Sequence, residues 1–401
     1  MTFKTLRDID VKNKVVLLRA DLNVPAKDGV VTDTTRIDRL KPTIDWLVSH
    51  GAKTVVLSHF GRPKGGYEAE FSLSFLTDDL QKSWGVPVTF GKDCIGDDAR
   101  KLVQSLQTGQ VGLLENLRFH KGEEGNDATF VKELASLGEI YINDAFSAAH
   151  RAHASTEGLA HHLPTAAGLL MEAELNALSA ALEAPQRPVV AIVGGAKIST
   201  KLSVLDNLVR KVDALFLGGG MANTFLYAQG VEVGKSLCEH DMADEARKIM
   251  QTAKDAGCAI ILPTDRVILK EFGKNAPHEI CDTMKVPADQ EAVDIGPASV
   301  SLLRETLATA KTVLWNGPLG VFEVEPFDKG TNEAAKTVAE FTAKGTLVSV
   351  AGGGDTVSAL EHAGVADQFS YVSTAGGAFL EWMEGKVLPG VAALSAAKKA
   401  A

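Results

Sequence analysis

Residues 189–212 read VVAIVGGAKISTKLSVLDNLVRKV, and their reading decides the fold. Val189 to Val193 form a short apolar, mostly β-branched run, the mark of a strand buried on both faces. Gly194 and Gly195 break the run and allow a tight turn. Leu202, Leu205, Leu208, Val209 and Val212 follow at helical spacing, with Ser199 placed to cap the helix. Lys197 and Lys201 then stand at the positive end of the helix macrodipole, which disfavours a cation by about 0.3–1 kcal/mol. A bound anion reverses that sign, because it gains from the helix N–H groups and from both ammonium groups. Two solvated lysines are the plainer alternative, and the rest of the chain weighs between them.

The same alternation runs through the chain. Apolar runs fall at Val15–Leu18, Val55–Leu57, Val86–Phe90, Val111–Leu114 and Ile140–Ile142 in the first half. In the second half they are Val189–Val193, Ala214–Leu217, Ala259–Leu262, Thr312–Trp315, Leu347–Val350 and Phe369–Val372. Most are continuous rather than alternating, as parallel strands covered by helices on both faces should be. Helical patterns separate them, so the chain predicts two α/β units. Between the halves, Met171, Leu175, Leu178 and Leu182 share one helical face, and Pro164, Pro185 and Pro188 punctuate the segment. That helix is the candidate connector; an ordinary helix of the first unit is the alternative.

Bulk properties set limits. A chain of 401 residues suffices for two domains with separate cores. The net charge of −10 argues against general nucleic-acid or membrane-surface binding, so any anion site is a local basic cluster. Cys94, Cys238, Cys258 and Cys281 are far apart and show no metal or redox spacing, which fits a reducing cytoplasm. The N-terminal MTFKTLRDIDVKNK has no apolar signal-peptide core, and no apolar run approaches the roughly 20 residues a membrane helix needs.

In open α/β sheets ligands bind beyond the carboxyl ends of the strands. In the first half those ends are basic. Arg19, Asp21 and Asn23 follow one run, with Arg36 after them; His59 and Arg62, Arg118, and then His150, Arg151 and His153 follow three others. Any one arginine is most simply solvated, but four strand ends should converge on one edge and suit a multiply charged small anion. In the second half the ends are glycine-rich: VGGAK, LGGGMANT, LWNGPLGVFE, VAGGGDTVSAL and VSTAGGAFLE. Glycines admit close approach of backbone N–H groups to phosphate. Asp355 is the acidic residue placed between such glycines and a helix, where it can act as N-cap, as a Mg²⁺ ligand, or as both.

Other motifs fail. GGAKIST lacks the GxxxxGK[ST] spacing, and neither LGGGMANT nor AGGGDTVS completes GxGxxG. His150, His153, His161 and His162 lack carboxylate or cysteine company at ligand spacing. No GxSxG elbow or other nucleophile is evident, which suits phosphoryl transfer, a reaction that needs positioning and charge neutralisation more than a protein nucleophile.

At this point blocks along nearly the whole chain resemble the phosphoglycerate kinase family: RADLNVP (19–25), SHFGRP (58–63), ENLRFH (115–120), NDAF and AHRAH within 143–153, VGGAKISTKL (193–202), LGGGMANTFL (217–226), WNGPLGVFE (315–323), AGGGDT (351–356) and EGKVLPGV (384–391). The resemblance implies two doubly wound, Rossmann-like parallel-sheet domains facing each other across a cleft and joined by a helix. It places a 3-phosphoglycerate-binding domain at 1–170, the helix at 171–185 and a nucleotide-binding domain at 186–385, with 386–401 returning to the first. It implies reversible, in-line phosphoryl transfer between 1,3-bisphosphoglycerate and ADP on domain closure, giving 3-phosphoglycerate and MgATP, in a monomeric cytoplasmic enzyme.

By resemblance, Asp21, Leu22 and Asn23 hold the glycerate, and Arg36, His59, Phe60, Gly61, Arg62, Arg118 and Arg151 surround it. Arg36, Lys197 and Lys201 attend the transferring group. Lys201, Asn316, Glu323, Gly353, Gly354, Asp355 and Thr356 bind the nucleotide, and Asp355 meets Mg²⁺. Ser147, Ala148, Ala375 and Phe60 depart from the usual family pattern, but no charged or metal-binding position is lost.

Overall fold

The structure is a computed structural model in which residues 3–399 are described. The chain divides into two compact units: residues up to Leu175 together with those from Val387 on, and Asn176–Lys386. The division falls inside a helix, Leu169–Leu178, which continues as a π-helical turn, Ser179–Glu183.

Unit 1 is built on six strands: Val15–Arg19 (β1), Lys53–Leu57 (β2), Val88–Gly91 (β3), Val111–Leu114 (β4), Ile140–Asn143 (β5) and Thr165–Ala167 (β6). All pair in parallel, in the order β3-β4-β2-β1-β5-β6. The continuous apolar runs follow from helices on both faces. Val16 and Leu18 of β1 pack into one core with Ile37, Ile44 and Leu80, whereas Leu17 packs into the other with Leu102 and Leu134. The helix Pro389–Lys399 belongs to this unit; the Gly390 amide donates to the Ala149 carbonyl at 2.9 Å, and Ala393 joins the second core.

Unit 2 has strands Val189–Val193 (β7), Ala214–Leu217 (β8), Ala259–Ile261 (β9), Thr312–Asn316 (β13), Val348–Gly352 (β14) and Tyr371–Ser373 (β15), in the order β9-β8-β7-β13-β14-β15, again all parallel. Between β9 and β13 the chain makes a small antiparallel sheet from Asp265–Leu269 (β10), His278–Asp282 (β11) and Glu291–Ile295 (β12). In each large sheet the strand order reverses beside the first strand. The reversal lies between β1 and β5 in unit 1 and between β7 and β13 in unit 2, the positions at which such sheets open a crevice at their carboxyl edge.

Several expectations need correction. The helix after β7 spans Leu202–Val209, with Lys201 rather than Ser199 at its N-cap position. Ser199 is engaged elsewhere: its hydroxyl and amide both donate to the Glu239 carboxylate, at 2.6 and 2.9 Å. Val212 lies past the helix end yet is buried. Gly353, not Asp355, is the N-cap of Gly354–His362; Asp355 sits in the first turn and makes no capping bond. Strand β6 and the small antiparallel sheet carry no long apolar run and lie outside the sequence-based strands.

Candidate active site

In unit 1 the reversal is filled by a polar network. Arg19 ends β1 and is 1% exposed. Its Nε donates to Ser155 Oγ at 2.7 Å and its Nη2 to His59 Nδ1 at 2.9 Å, while Nη1 donates to the Ala20 carbonyl. Asp21 accepts from Arg36 Nη1 at 2.8 Å, from the Ser147 hydroxyl and from the Asn23 amide at 3.1 Å. Burial alone would raise the Asp21 pKa; Arg36 first, with the Ser147 and Asn23 donors, outweighs it and holds the carboxyl below its ordinary value. Arg36 enters from the first turn of the helix Thr35–Ser49 and also donates to the Asn23 carbonyl at 2.9 Å.

Around this centre, Asn23 Oδ1 accepts the Gly61 amide at 2.8 Å, and the Gly61 carbonyl accepts Arg118 Nη1 at 2.8 Å. Leu22 is buried, its amide donating to Ser58 Oγ at 2.9 Å. Phe60 stacks obliquely on Phe75, ring centroids 5.0 Å apart, and is tied to Asn116 through both its amide and its carbonyl. Burial first, then Arg19, push the His59 pKa well below the ordinary histidine value, so the ring is uncharged near neutrality. Arg62 and Arg151 are exposed; Arg62 makes no hydrogen bond or ion pair among the described residues, and Arg151 reaches His150 at 3.2 Å. Asp21, Asn23, Arg36, His59, Gly61 and Arg118 are thus joined by contacts, and Arg62 and Arg151 hold their charge open to solvent.

In unit 2 the reversal holds Lys201. Its Nζ donates to the carbonyls of Gly194, after β7, and Asn316, at the end of β13, at 2.7 and 3.2 Å. Burial lowers its pKa to about 8, with Asp355 acting in the opposite sense. The two chain segments approach so closely that only glycine fits. A Cβ on Gly194 would lie 1.8 Å from the Pro318 carbonyl oxygen, and one on Gly317, whose φ is +96°, would lie 2.3 Å from the Gly194 oxygen. Beside this turn is a cavity of about 430 Å³, bounded by Gly195, Gly219, Gly220, Phe272, Glu323 and Asp355 among others. The helix Gly354–His362 begins there with free first-turn N–H groups.

Not every predicted nucleotide residue is free to bind. The Thr356 hydroxyl is committed to the fold, accepting the Gly317 amide at 2.7 Å and donating to the Gly352 carbonyl at 2.8 Å. Asn316 Nδ2 likewise donates to the Gly352 carbonyl at 2.8 Å, but its Oδ1 is buried without a partner. Lys197 and Asp355 are exposed, and neither side chain makes a hydrogen bond or ion pair among the described residues.

A family model described as phosphoglycerate kinase matches residues 6–386. The chain is 61% identical over 396 residues to the phosphoglycerate kinase of Rhodospirillum centenum, covering 99% of this chain and all of the relative. Its fold is similar to that of the phosphoglycerate kinase of Coxiella burnetii, with a TM-score of 0.91 at 42% identity over 98% of this chain and 99% of that one. The phosphoglycerate kinase of Pyrococcus horikoshii is similar with a TM-score of 0.82 at 31% identity over 99% of each chain.

The chain belongs to the phosphoglycerate kinase family. Its activity is accordingly that of a phosphotransferase which moves a phosphoryl group reversibly between 1,3-bisphosphoglycerate and ADP, the glycolytic reaction of phosphoglycerate kinase. The sequence reading of the basic edge missed the groups that hold it in place. Glu123 and Ser155 lie fully buried behind Arg19, and Glu115 accepts from Ser72 and the Leu73 amide at 2.6 and 2.8 Å. No local pattern marks them, since their partners are tens of residues away. Ser147, at a departure from the family pattern, proves to be a partner of Asp21.

Proposed function

We propose that the carboxyl edge of the unit 1 sheet takes the phosphoglycerate and that of the unit 2 sheet takes the nucleotide. The observation that carries this reading is the contrast between the two reversals. One is lined by cations around Asp21 and Asn23; the other is a glycine-lined cavity with one confined lysine and the start of a helix. Arg62, Arg118 and Arg151 supply charge for the phosphate of the glycerate. Asp21 and Asn23 supply acceptors and donors for its hydroxyl and carboxylate. Glu323 at the cavity meets the ribose hydroxyls, and the N–H groups of residues 353–356 meet the phosphates.

In the ATP-forming direction a β-phosphate oxygen of ADP attacks phosphorus in line. The bond to the acyl oxygen breaks, and the carboxylate leaves. Nucleophile and leaving group are both anionic oxygens, so no proton needs to move and no general base is required. Arg36 and Lys197 neutralise the charge of the transferring group, and exclusion of water protects the acyl phosphate.

Asp355 suits a Mg²⁺ ion carried by the nucleotide: its carboxylate is exposed, borders the cavity and makes no hydrogen bond or ion pair among the described residues. When bound, that ion offsets phosphate charge. The reading includes a monomer working in the cytoplasm. The dispersed free cysteines support the location.

A coupled assay with 3-phosphoglycerate and MgATP tests the assignment. Arg36→Ala and Lys197→Ala should each lower kcat by about 10²–10³-fold, as loss of a transition-state donor does. Arg36→Ala should leave MgADP affinity unchanged. Near-wild-type turnover in Lys197→Ala would show that the exposed lysine has no part in transfer.

A further inference from the structure

The proton inventory around His59 specifies more than its place in the cluster. Glu123 is fully buried and accepts twice from Ser155: from its amide at 3.0 Å and from its hydroxyl, whose single proton is thereby used. Ser155 Oγ can then only accept from Arg19 Nε. Arg19 in turn has only donors to offer, and its Nη2 lies 2.9 Å from His59 Nδ1. That nitrogen must carry a lone pair, so the imidazole proton resides on Nε2, which has no hydrogen-bond partner among the described residues.

We propose that the buried chain Glu123–Ser155–Arg19 fixes His59 as the uncharged Nε2–H imidazole, so that His59 meets the phosphoglycerate as a neutral hydrogen-bond donor and not as a cation. Arg19 and Ser155 are then positioning residues. The charged and titratable groups around the ring act together: Arg19 and Arg118 oppose protonation, Asp21 favours it, and His153 would oppose it only if it were itself charged. His153 is itself held neutral, burial and then Arg118 and Arg19 lowering its pKa to about 4. The proposal rests on the reading that His59 touches the glycerate. The one cluster of possible metal ligands among the described residues, Asp93, Cys94 and His120, is separate and already satisfied. Asp93 Oδ1 accepts the Cys94 amide at 2.6 Å and lies 2.7 Å from His120 Nε2.

Long-range ¹H–¹⁵N correlation spectra of the ligand-free protein, with His59 assigned by loss of its signals in His59→Gln, read the tautomer directly. The expected result is a proton on Nε2 alone at pH 7. An imidazolium or an Nδ1–H signal at pH 7 overturns the proposal. In Arg19→Met the ring should sample both tautomers, and its pKa should rise while burial still holds it below the ordinary histidine value. Should that variant fail to fold, Ser155→Ala, which loosens Arg19, should show the same change in smaller degree; an unaltered His59 spectrum in whichever variants fold overturns the proposal. Binding of 3-phosphoglycerate to His59→Ala separates the two readings. Unchanged affinity would remove His59 from the substrate site while leaving the tautomer measurement standing.

Discussion

Lys201→Met exchanges a confined ammonium for an uncharged side chain of similar length, and its effect on stability depends on pH. In unit 2 the Lys201 Nζ has two carbonyl acceptors, yet burial lowers its pKa to about 8. In the unfolded chain a lysine titrates at about 10.4. The folded pKa is the lower one, so the unfolded chain binds the extra proton between these values. Wild-type stability therefore rises as pH increases from about 8 to about 10.4, and below 8 the full cost of the buried charge applies. That cost is about 3 kcal/mol at pH 7 and about 1 kcal/mol at pH 10. Methionine carries no such cost. The stability of wild type relative to the variant should thus improve by about 2 kcal/mol between the two pH values. Urea denaturation of both ligand-free proteins at pH 7 and pH 10, following the transition of unit 2, measures this; other titrating groups are common to both proteins and cancel. A stability difference that stays flat with pH would refute the burial argument. Under the proposed assignment turnover of the variant should fall, because the same ammonium that weakens the empty unit would offset nucleotide phosphate charge when the site is filled.

Two further outcomes follow from the geometry. Gly194→Ala drives a methyl group into the Pro318 carbonyl, a backbone atom that no rotamer change can move aside, and should cost at least about 3 kcal/mol together with most of the activity; wild-type stability by denaturation would mean that the 317–319 turn yields freely. Asp144, buried at the end of β5, has its pKa raised by burial to about 6, although Thr43 and the Met171 and Leu170 amides favour its charge. A raised carboxyl pKa contributes stability that is complete well below about 3.9 and lost as pH rises through 6, so Asp144→Asn should gain about 2 kcal/mol on wild type between pH 4 and pH 7. Parallel stability–pH curves for the two proteins would contradict that assignment.

The large sheets were legible because their strands are buried on both faces. Residues 189–193 and 111–114 are apolar throughout and form strands with those bounds. Strand β6 escaped because Thr165–Ala167 consists of small residues at a sheet edge. The antiparallel sheet escaped because β11, HEICD, is almost wholly exposed and carries no apolar signal. At the site, the residues that bear charge towards a ligand stood out at strand ends. The residues that orient them did not: Ser155 is 136 positions from Arg19, and Asn116 is 56 from Phe60, so only the folded chain brings each pair together. Ser199 misled for a related reason, since Glu239, 40 residues on, competes for its hydroxyl.

Unit 1 is made from two separated stretches of chain, and this bears on how the protein emerges from the ribosome. Leu388, Val391, Ala393 and Leu394 are all buried, and Gly390 bonds to Ala149, yet these residues are synthesised after everything in unit 2. The nascent amino-terminal half must therefore wait with an uncovered apolar flank while the later, uninterrupted half has all it needs to close. The usual order, in which the first-made domain finishes first, should then be reversed. A chain halted after Lys386 should carry a finished unit 2 and an unfinished unit 1.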